Sequence, residues 1–536
     1  MIQKAFITLA TLFALGQGAW ADGTASFPLH YNSVTNPEDG SEARPYHVES
    51  TGDLNTLASD VNKGIDYDGK HFILTADIDY SGVALFDSDE DGTADSNFTT
   101  IGYGDEAEGA NFKGVFNGNG KYIKGITVNT PAAVGVALFG YIHQPAEIRN
   151  VTLKDCSFTG NFEVGAIVGA TSGAGTNSKF GIYDCTVEST VKVTAVATTI
   201  DGEDIPGTYA GGIVGFCGSL IVKDCTSAAV VKGDESVGGI AGHFTGSALG
   251  GVIENSFFTG SVTGGSEATE VCNIVGGRGP IDGEEGTIGT INLTLLDNDA
   301  SAAVKNATRI ANYNGLVANV TLNGRTLYKD GKWNTLCLPF GVKLAGSALA
   351  DAEARPLSSA STAGTSLSLT FGSAATTLTA GTPYIIKWES ASNIVSPTFS
   401  GVTVSTDKHD YDTKGTSVTT AQRVRFTGTY TSTPFAAEDK SILLMSGDNK
   451  LYYPAAGSGI AACRAYFKIG NDGSTLTQQL TAFNIDFEEV ATGVKNVDVN
   501  ANINQAGAWY TIDGRRVNVQ LPKGIYINNG KKVVIE

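Results

Sequence analysis

A short phrase of glycine and β-branched residues recurs along the chain and constrains its fold more than any other feature. The phrase reads Val or Ala, Gly, a small residue, Ile, Val or Ala, and Gly. Copies return at spacings of roughly 27 to 46 residues, a period typical of repeat proteins whose units stack on one another. They lie at 164–169, 210–215, 237–242 and, in degraded form, 272–277.

A second phrase lies between these copies and ends in a small residue. An acid or amide precedes Cys156, Cys185, Cys225 and Ser256, which occupy one equivalent position in successive repeats. Because a free cysteine behaves as a small buried residue, the aligned thiols predict a packing ladder inside the repeats. The chain has seven cysteines, an odd number, and no CxxC pair, so the pattern favours this ladder over bridges or a zinc site.

Short β-rich runs separate the two phrases, as at 126–128, 136–139 and 148–153. Strands of this length cannot bury a face alone, whereas stacked as successive turns they enclose a continuous core. Glycine is abundant, with 67 residues, which fits tight corners between such strands. We therefore predict an all-β protein in which residues 46–297 form an irregular β-helix or solenoid.

The Gly-Gly-Ile-Val-Gly phrase, together with the acid-Cys phrase that follows it, resembles the GLUG repeat of bacterial surface proteins of Bacteroidetes type. Residues 112–123, two β runs around an Asn-Gly turn, resemble the segment that commonly leads into such repeats. The resemblance covers residues 46–292 and implies a β-solenoid in an adhesin-like or binding protein. Related repeats also occur beside peptidase domains, so the resemblance implies no particular activity.

Residues 298–490 differ from the repeats in their sequence pattern, because β runs alternate there with Ser, Thr and Gly turns. This spacing predicts an antiparallel β-sandwich. Phrases at 333–340, 381–387 and 463–467 resemble a domain that recurs near the C-terminus of secreted Bacteroidetes proteins, and the resemblance implies no catalytic role. Within this region Cys337 and Cys463 are equally compatible with a disulfide and with two separate buried thiols.

Residues 491–536 combine a linker with three short β runs joined by Asp-Gly and Asn-Gly turns, which predicts a small β module. Its phrases closely resemble the C-terminal sorting domain of cargo of the type IX secretion system. The resemblance implies that the tail engages the secretion machinery, and the alternative is a terminal module that only packs on the sandwich. The residues that carry the resemblance are Asp513, Gly514, Arg515, Gly524, Tyr526, Gly530 and Lys531.

The other end of the chain also predicts export. Residues 1–21 combine Lys4, an apolar run and a small-x-small cleavage site, the pattern of a signal peptide, and residues 22–45 predict an irregular leader. No later run predicts a transmembrane segment in the mature chain. The net charge of −19 argues against nucleic acid as a partner, because phosphates require clustered cations. We expect the protein at the outer-membrane surface or outside the cell.

An acidic loop follows the first β runs. Asp87, Asp89, Asp91 and Asp95 stand at positions 1, 3, 5 and 9 of a calcium-loop pattern, with glycine at position 6. Phe98 replaces the bidentate glutamate expected at position 12. The loop therefore predicts a structural calcium ion, and the alternative is a solvated acidic hairpin loop.

No catalytic motif stands out: the chain has no HExxH, no GxSxG, no P-loop and no dinucleotide fingerprint. The aligned Asp184 and Asp224 are interpreted as turn residues and not as catalytic acids. We predict a non-enzymatic surface scaffold, with a surface glycan-binding protein and a β-helix polysaccharide-degrading enzyme as alternatives, and an extracellular glycan or protein as ligand. Exposed aromatic residues on the solenoid would favour the glycan alternative. The residues to inspect are Tyr141, Phe162, Phe180, Tyr183, Phe216, Phe244, Phe257 and Phe258.

Overall fold

Within the described residues the regular secondary structure is almost all β-strand, with two helices, which confirms the all-β prediction. Its contacts divide it into two compact units, residues 1–326 with 395–406 and residues 327–394 with 407–536. No helix within the described ranges is both long and apolar enough to cross a bilayer. The computed structural model describes residues 25–30, 32–33, 36–104, 109–172, 179–200, 203–245, 251–265, 268, 270–278, 289–389, 391–413, 423–435, 439–446, 449–455, 457–470, 480–488, 494–496, 509–512, 515–517, 522–528 and 531–535.

The first unit begins with a segment that contains the longer helix. Leu54, Leu57 and Val61 recur at helical spacing and are fully buried, which fixes the inner face of this helix. Ser50 caps it, and the Asp53 carboxylate accepts a hydrogen bond from the Ser50 backbone N–H. The elements here are β1 (Asn32–Ser33), β2 (Asn36–Pro37), β3 (Tyr46–Val48), α1 (Thr51–Asn62), β4 (His71–Leu74) and β5 (Ile78–Asp79).

Part of the irregular leader packs against α1. The buried Asp60 accepts hydrogen bonds from the backbone N–H of Ser26 at 2.7 Å and from its hydroxyl at 2.5 Å. Nε2 of His30 lies 2.8 Å from a carboxylate oxygen of Asp53, and Phe27 is buried. The leader therefore has no extended regular structure over residues 25–30, yet it belongs to the folded unit.

Each subsequent turn of the chain adds one short strand to each of several parallel sheets, the path of a solenoid-like stack. The turns are in parallel register, so equivalent repeat positions lie beside one another. The strands are β6 (Val115–Asn117), β7 (Tyr122–Lys124), β8 (Thr127–Asn129), β9 (Phe139–His143), β10 (Glu147–Arg149), β11 (Thr152–Lys154), β12 (Ser157–Gly160), β13 (Phe162–Gly165), β14 (Val168–Ser172), β15 (Gly181–Tyr183), β16 (Thr186–Val187), β17 (Lys192–Ala195), β18 (Thr198–Ile200), β19 (Glu203–Ile205), β20 (Thr208–Gly211), β21 (Val214–Cys217), β22 (Ile221–Lys223), β23 (Thr226–Ser227), β24 (Val230–Lys232), β25 (Glu235–Gly238), β26 (Ala241–Phe244), β27 (Val252–Glu254), β28 (Phe257–Phe258), β29 (Ser261–Thr263), β30 (Val271–Cys272) and β31 (Val275–Arg278).

Alternation along these short strands separates core from surface. In the largest sheet, Phe116, Ile148, Ile182, Val222 and Ile253 form one continuous buried row. Because side chains alternate between the two faces of a strand, the next residue in each strand points outward. That outward row is polar except for one tyrosine and consists of Asn117, Arg149, Tyr183, Lys223, Glu254, Asn292 and Asn319.

The parallel sheet continues beyond residue 297, where the sequence predicts the end of the solenoid. β32 (Thr290–Leu296) and β33 (Val317–Asn323) pair in parallel, and α2 (Asn306–Asn312) between them packs on β28. The Asn312 side chain accepts a hydrogen bond from the Phe258 backbone at 2.5 Å, and the Tyr313 hydroxyl donates to the Ser256 carbonyl at 3.1 Å. The helix thus covers the last turn, as capping elements of repeat proteins do.

The second unit contains two five-stranded sheets whose apolar faces share one core, the arrangement of a β-sandwich. Their core includes Phe371, Phe426 and Phe467. The strands that follow β33 up to residue 487 are β34 (Thr326–Leu327), β35 (Asn334–Leu336), β36 (Val342–Lys343), β37 (Glu353–Ala363), β38 (Ser366–Phe371), β39 (Thr377–Leu378), β40 (Tyr384–Lys387), β41 (Ile394–Val395), β42 (Thr398–Thr403, which belongs to the first unit and pairs antiparallel with β33 there), β43 (Tyr411–Asp412), β44 (Val424–Thr429), β45 (Thr433–Pro434), β46 (Ile442–Met445), β47 (Leu451–Tyr452), β48 (Gly459–Ile460), β49 (Arg464–Ile469) and β50 (Ala482–Phe487). The first sheet of the sandwich has the order β35-β40-β37-β38-β50, and the second has the order β43-β44-β49-β46-β47.

The C-terminal module is a small sheet of its own. Its strands, in the order β51-β55-β54-β52-β53, are β51 (Val494–Asn496), β52 (Trp509–Thr511), β53 (Arg516–Val517), β54 (Gly524–Asn528) and β55 (Lys531–Ile535). Tyr526, Val533 and Ile535 form its core, with Trp509 and Val517 packed against them. The three predicted β runs are present as strands, and β51 from the predicted linker joins their edge.

Candidate functional site

The recurrent glycine phrase forms the corners of the stack. At Gly165, Gly211 and Gly238 an added Cβ would collide with the carbonyl oxygen three residues later, so only glycine fits. The corner begins two residues earlier with Glu163, Tyr209 and Ser236, whose φ angles are 59°, 62° and 52°. A non-glycine residue in this left-handed region is uncommon, and here it recurs in three successive turns.

Four rings gather at this corner, and we call them the aromatic corner: Phe162, Tyr209, Phe216 and His243. The Tyr209 ring centroid lies 4.6 Å from that of Phe162, 4.7 Å from that of His243 and 5.7 Å from that of Phe216. Phe216 and His243 are register neighbours in adjacent turns and stack with an interplanar angle of 5°. Phe162, Tyr209 and Phe216 are partly exposed.

Polar groups flank these rings. The Tyr141 hydroxyl donates a hydrogen bond to the Glu163 carboxylate, and the Ser236 hydroxyl donates one to the Glu270 carboxylate. Gly277 lies in register with His243 in the next turn. Nδ1 of His243, a carboxylate oxygen of Glu270 and Oγ of Ser236 all lie within 2.8 Å of the position that a Cβ at Gly277 would take. Three polar atoms from successive turns therefore converge beside the rings.

The sequence identified only part of this cluster. Of the eight aromatic residues to inspect, Phe162, Tyr183 and Phe216 are partly exposed. The other five are buried: Tyr141, Phe180, Phe244, Phe257 and Phe258. Tyr209 and His243, which complete the aromatic corner, were missed. Their signal is positional, since Tyr209 directly precedes the glycine phrase at 210–215 and His243 directly follows the one at 237–242.

The acidic loop is a second candidate site. Carboxylate oxygens of Asp87, Asp89 and Asp91 lie within 4.8 Å of one another, as ligands of a single cation would. Asp87 also accepts hydrogen bonds from two backbone N–H groups of the loop, those of Asp91 at 3.2 Å and Gly92 at 2.9 Å, which hold the loop closed. Burial, followed by repulsion from Asp91, raises the pKa of the Asp89 carboxyl above its ordinary value.

Asp95, the fourth predicted ligand, lies outside this group of three. Its carboxylate accepts hydrogen bonds from the Asn129 amide and from the Ser96 hydroxyl, the latter at 3.4 Å. Phe98, which stands where a calcium loop has glutamate, is fully buried against the Tyr80 ring. The loop therefore brings three carboxylates together and not four, and Phe98 at its C-terminal end packs in the core.

The thiol ladder lies inside the stack, as the sequence predicts. Each thiol donates to a carbonyl oxygen of the preceding turn, from Cys156 to Ile123 at 3.9 Å and from Cys225 to Ile182 at 3.5 Å. The Ser256 hydroxyl makes the equivalent bond at 3.3 Å. All seven cysteines are free, including Cys337 and Cys463 of the sandwich, and burial raises the pKa of Cys156 to about 12. The aligned residues therefore pack, and buried protonated thiols of this kind are poor nucleophiles.

The acids that precede the thiols are turn residues. Asp155, Asp184, Asp224 and Asn255 have φ angles of 48°, 52°, 53° and 47°, the left-handed conformation that Asp and Asn tolerate best after glycine. This geometry confirms the interpretation of Asp184 and Asp224 as turn formers. Their recurrence follows from the backbone, which needs such a residue once per turn.

The predicted sorting residues are distributed over the C-terminal sheet. Tyr526 is buried and its hydroxyl donates to the Pro522 carbonyl at 2.9 Å, while Gly524 begins the same strand. Lys531 opens β55, opposite Asn528. The Arg515 N–H donates to the Thr511 hydroxyl at 3.1 Å. Asp513, Gly514 and Gly530 lie outside the described residues.

An open polar groove lies where β42 joins the large sheet of the first unit. Asn292, Asn319, Thr321 and Thr398 line it together with Glu254, Leu293, Thr294 and Ser400. Its side chains bind one another, since the Asn319 amide donates to Asn292 at 3.1 Å and the Thr321 and Thr398 hydroxyls lie 2.8 Å apart. The groove has no aromatic ring, and the aromatic corner is the more distinctive surface.

Comparison with known proteins gives limited information. No family model matches the chain. A segment of 152 residues, 28% of this chain, is 30% identical to halomucin of Haloquadratum walsbyi (strain DSM 16790 / HBSQ001), and it spans 2% of the length of that protein. A solved protein of Bacteroides ovatus, provisionally described as an immunoglobulin A1 protease, superposes with a TM-score of 0.33 at 20% identity over 49% of this chain and 67% of that chain. Neither similarity indicates a specific activity.

Proposed function

We propose that the protein is an exported, non-enzymatic, adhesin-like scaffold of the cell surface whose solenoid-like stack presents a binding face. The observation that supports this most is the aromatic corner. Three of its rings, those of Phe162, Tyr209 and Phe216, are partly exposed, so a ligand can contact them, while His243 is buried and the inside of the stack is filled without the three. The resemblance of the repeats to GLUG proteins supports the same role.

The test of this function is ligand binding by the full mature chain. The purified protein is applied to an array of extracellular matrix proteins, host surface proteins and glycans at physiological salt. We expect saturable binding to at least one class of ligand. A chain that binds nothing on such arrays, and that does not increase attachment of cells displaying it, would contradict the scaffold function.

A surface glycan-binding protein is the second candidate, and a specific observation favours it. Phe162, Tyr209 and Phe216 are partly exposed on one corner and lie beside carboxylate and hydroxyl groups. Binding sites for small polar ligands commonly combine aromatic walls with a few convergent polar groups.

We further propose that residues 492–536 direct export through the type IX secretion machinery to the outer-membrane surface. The resemblance of this tail to the sorting domain supports the proposal, and so does its own core around Tyr526. Deletion of residues 492–536 is expected to leave the protein in the periplasm, measured by surface proteolysis and cell fractionation. Fusion of the same residues to a periplasmic reporter is the matched gain-of-function arm. Unchanged export of the deletion variant would contradict the proposal.

The acidic loop is proposed to hold a structural calcium ion through Asp87, Asp89 and Asp91. Support comes from their convergence within 4.8 Å and from the hard oxygen donors that they supply. Calcium would neutralise the mutual repulsion of the three carboxylates and fix the loop. Isothermal titration of the full chain with calcium checks this, with magnesium as the control, because magnesium is smaller and dehydrates reluctantly.

A further inference from the structure

We propose that the aromatic corner and the polar atoms beside it form a binding site for a neutral or amino-bearing saccharide. The proposal rests on the surface-binding function above and assigns it a place and a ligand class. It requires rings that can stack on the ligand, groups that can bind hydroxyls, and a charge that selects the sugar.

The rings supply the first requirement. A pyranose ring has a face of C–H groups that packs on the π face of an aromatic side chain, as apolar groups generally do on rings. Tyr209 lies between Phe162 and His243, with centroid distances of 4.6 Å and 4.7 Å. Because strand pairing in register fixes the backbones that carry Phe216 and His243, the rings form a preorganised surface.

The flanking carboxylates supply the second requirement. Glu163 accepts a hydrogen bond from the Tyr141 hydroxyl, and Glu270 accepts one from the Ser236 hydroxyl. Glu163 is buried together with Tyr141, whereas Glu270 is exposed, so the Glu270 carboxylate can accept further bonds of this kind from a ligand. A hydroxyl group of a sugar is the same kind of donor, and hydrogen bonds to ionised acceptors are the stronger ones.

Charge selects among sugars. The exposed Glu270 carboxylate lies beside His243 of the corner, and the chain as a whole carries a net charge of −19. An anionic sugar that approaches this carboxylate is repelled, because like charges repel near a protein surface. Uronic acids and sulfated sugars are therefore disfavoured. Neutral sugars are accepted, and amino sugars gain an interaction with the Glu270 carboxylate and with the ring faces.

Stacking of the turns also suggests the direction of the ligand. Parallel strands in neighbouring turns lie about 4.8 Å apart, close to the length of one pyranose unit. Glu163, Tyr209, Ser236 and Glu270 stand at equivalent positions in successive turns. Glu163 and Ser236 are buried, whereas Tyr209 and Glu270 are accessible, so a linear oligosaccharide that runs along the stack meets an accessible side chain of this row at every second turn.

Isothermal titration of the full mature chain tests the proposal with four probes: cellohexaose, mannohexaose, a chitosan hexamer and hexagalacturonate. We expect at least one of the first three to bind at least tenfold more tightly than hexagalacturonate. Tyr209→Ala should weaken that binding at least tenfold, and Tyr209→Phe, which keeps the ring, by less than threefold. Tyr183→Ala is the matched control, because Tyr183 is a partly exposed outward tyrosine of the same repeats away from the corner, and it should change affinity by less than twofold.

Several results would overturn the site. They are absence of binding for all three neutral or amino probes, preference for hexagalacturonate, and equal binding by Tyr209→Ala. If Tyr209→Ala does not fold, as judged by circular dichroism, Phe216→Ala replaces it with the same expected loss. A chain that binds a matrix protein but none of these saccharides would retain the scaffold function and refute the saccharide site, so the two failures are distinguishable.

Discussion

Two rows of residues run through the same repeats and differ in a revealing way. The inside row is nearly uniform and consists of Cys156, Cys185, Cys225 and Ser256, each of which donates to a carbonyl oxygen of the preceding turn. The second row, which we call the corner row, is mixed and consists of Glu163, Tyr209, Ser236 and Glu270, of which Glu163 and Ser236 are buried. Both rows recur with the same phrase, so the repeat itself does not make one uniform and the other varied.

The difference follows from what surrounds each row. An inside side chain must fit a closed volume and satisfy a hydrogen bond, because interiors are close-packed and buried polar groups need partners. Each residue of the corner row must accept its backbone conformation, with φ near 60° at Glu163 and Tyr209, but only Tyr209 and Glu270 reach solvent. The inside row therefore defines the scaffold, and the accessible positions of the corner row are free to carry a ligand site.

Substitution of a corner glycine should have the largest effect on the free energy of unfolding, because these glycines fix the backbone turn that both rows share. Gly211→Ala would place a Cβ against the Val214 carbonyl oxygen, and relief requires a backbone shift in a stacked turn. We expect a loss of about 3 kcal/mol or more in the free energy of unfolding. Gly82→Ala is the control, because an added Cβ there meets nothing within 4 Å, and it should change stability by less than about 0.5 kcal/mol. Urea denaturation measures both, and similar midpoints would show that the corner is not sterically fixed.

The inside row should tolerate a hydroxyl but not a charge. Cys225→Asp buries a carboxylate with no cation beside it, and we expect a cost of about 3 to 5 kcal/mol. Cys225→Ser should cost only about 1 kcal/mol, because Ser256 already makes the same bond in the next turn. Chemical denaturation of the two variants against the parent chain checks this. If both substitutions cost the same, the row is not the hydrogen-bonded packing ladder described above.

The repeat period alone was sufficient to predict the stacked parallel architecture and the thiol ladder. It could not bring Tyr209 and His243 together, because they belong to different turns and a period does not specify which side chains meet between turns. Loop spacing also predicted Asp95 as a ligand, whereas the Asn129 amide, distant in sequence, holds its carboxylate. Local patterns thus predict which turn a residue occupies, and contacts between turns decide what it does.

Calcium bound at the acidic loop should stabilise that loop without changing the packing of the inside row of thiols. With a dissociation constant of about 1 mM, as for extracellular modules, 10 mM calcium would add about 1.4 kcal/mol. We expect a higher melting temperature with calcium than with magnesium, and no such difference in Asp89→Asn. Calorimetry measures this, and an equal response to both ions in the parent chain would contradict a calcium site.

The same loop predicts a pH dependence in the absence of calcium. The raised pKa of Asp89 means that the folded state binds a proton more readily than the unfolded state. Stability should therefore fall as the pH rises from the ordinary value of 3.8 through the folded-state pKa, the opposite slope to that of an ion-paired carboxylate. Asp89→Asn is the matched control and should remove this slope. A parent chain and a variant with identical pH profiles between pH 3 and 6 would exclude the effect.

Tyr209→Ala should change stability only slightly, although it is expected to give the largest change in saccharide binding. Its partly exposed ring contributes stacking worth about 1 kcal/mol, and both residues must adopt the same φ of 62°. Tyr209→Asn should cost even less than Tyr209→Ala, because asparagine tolerates this conformation better. Thermal and urea unfolding of the two variants measure the order. If Tyr209→Ala lowered the free energy of unfolding as much as Cys225→Asp, the Tyr209 ring would be part of the core. A side chain that the fold requires for stability is not available to bind a ligand.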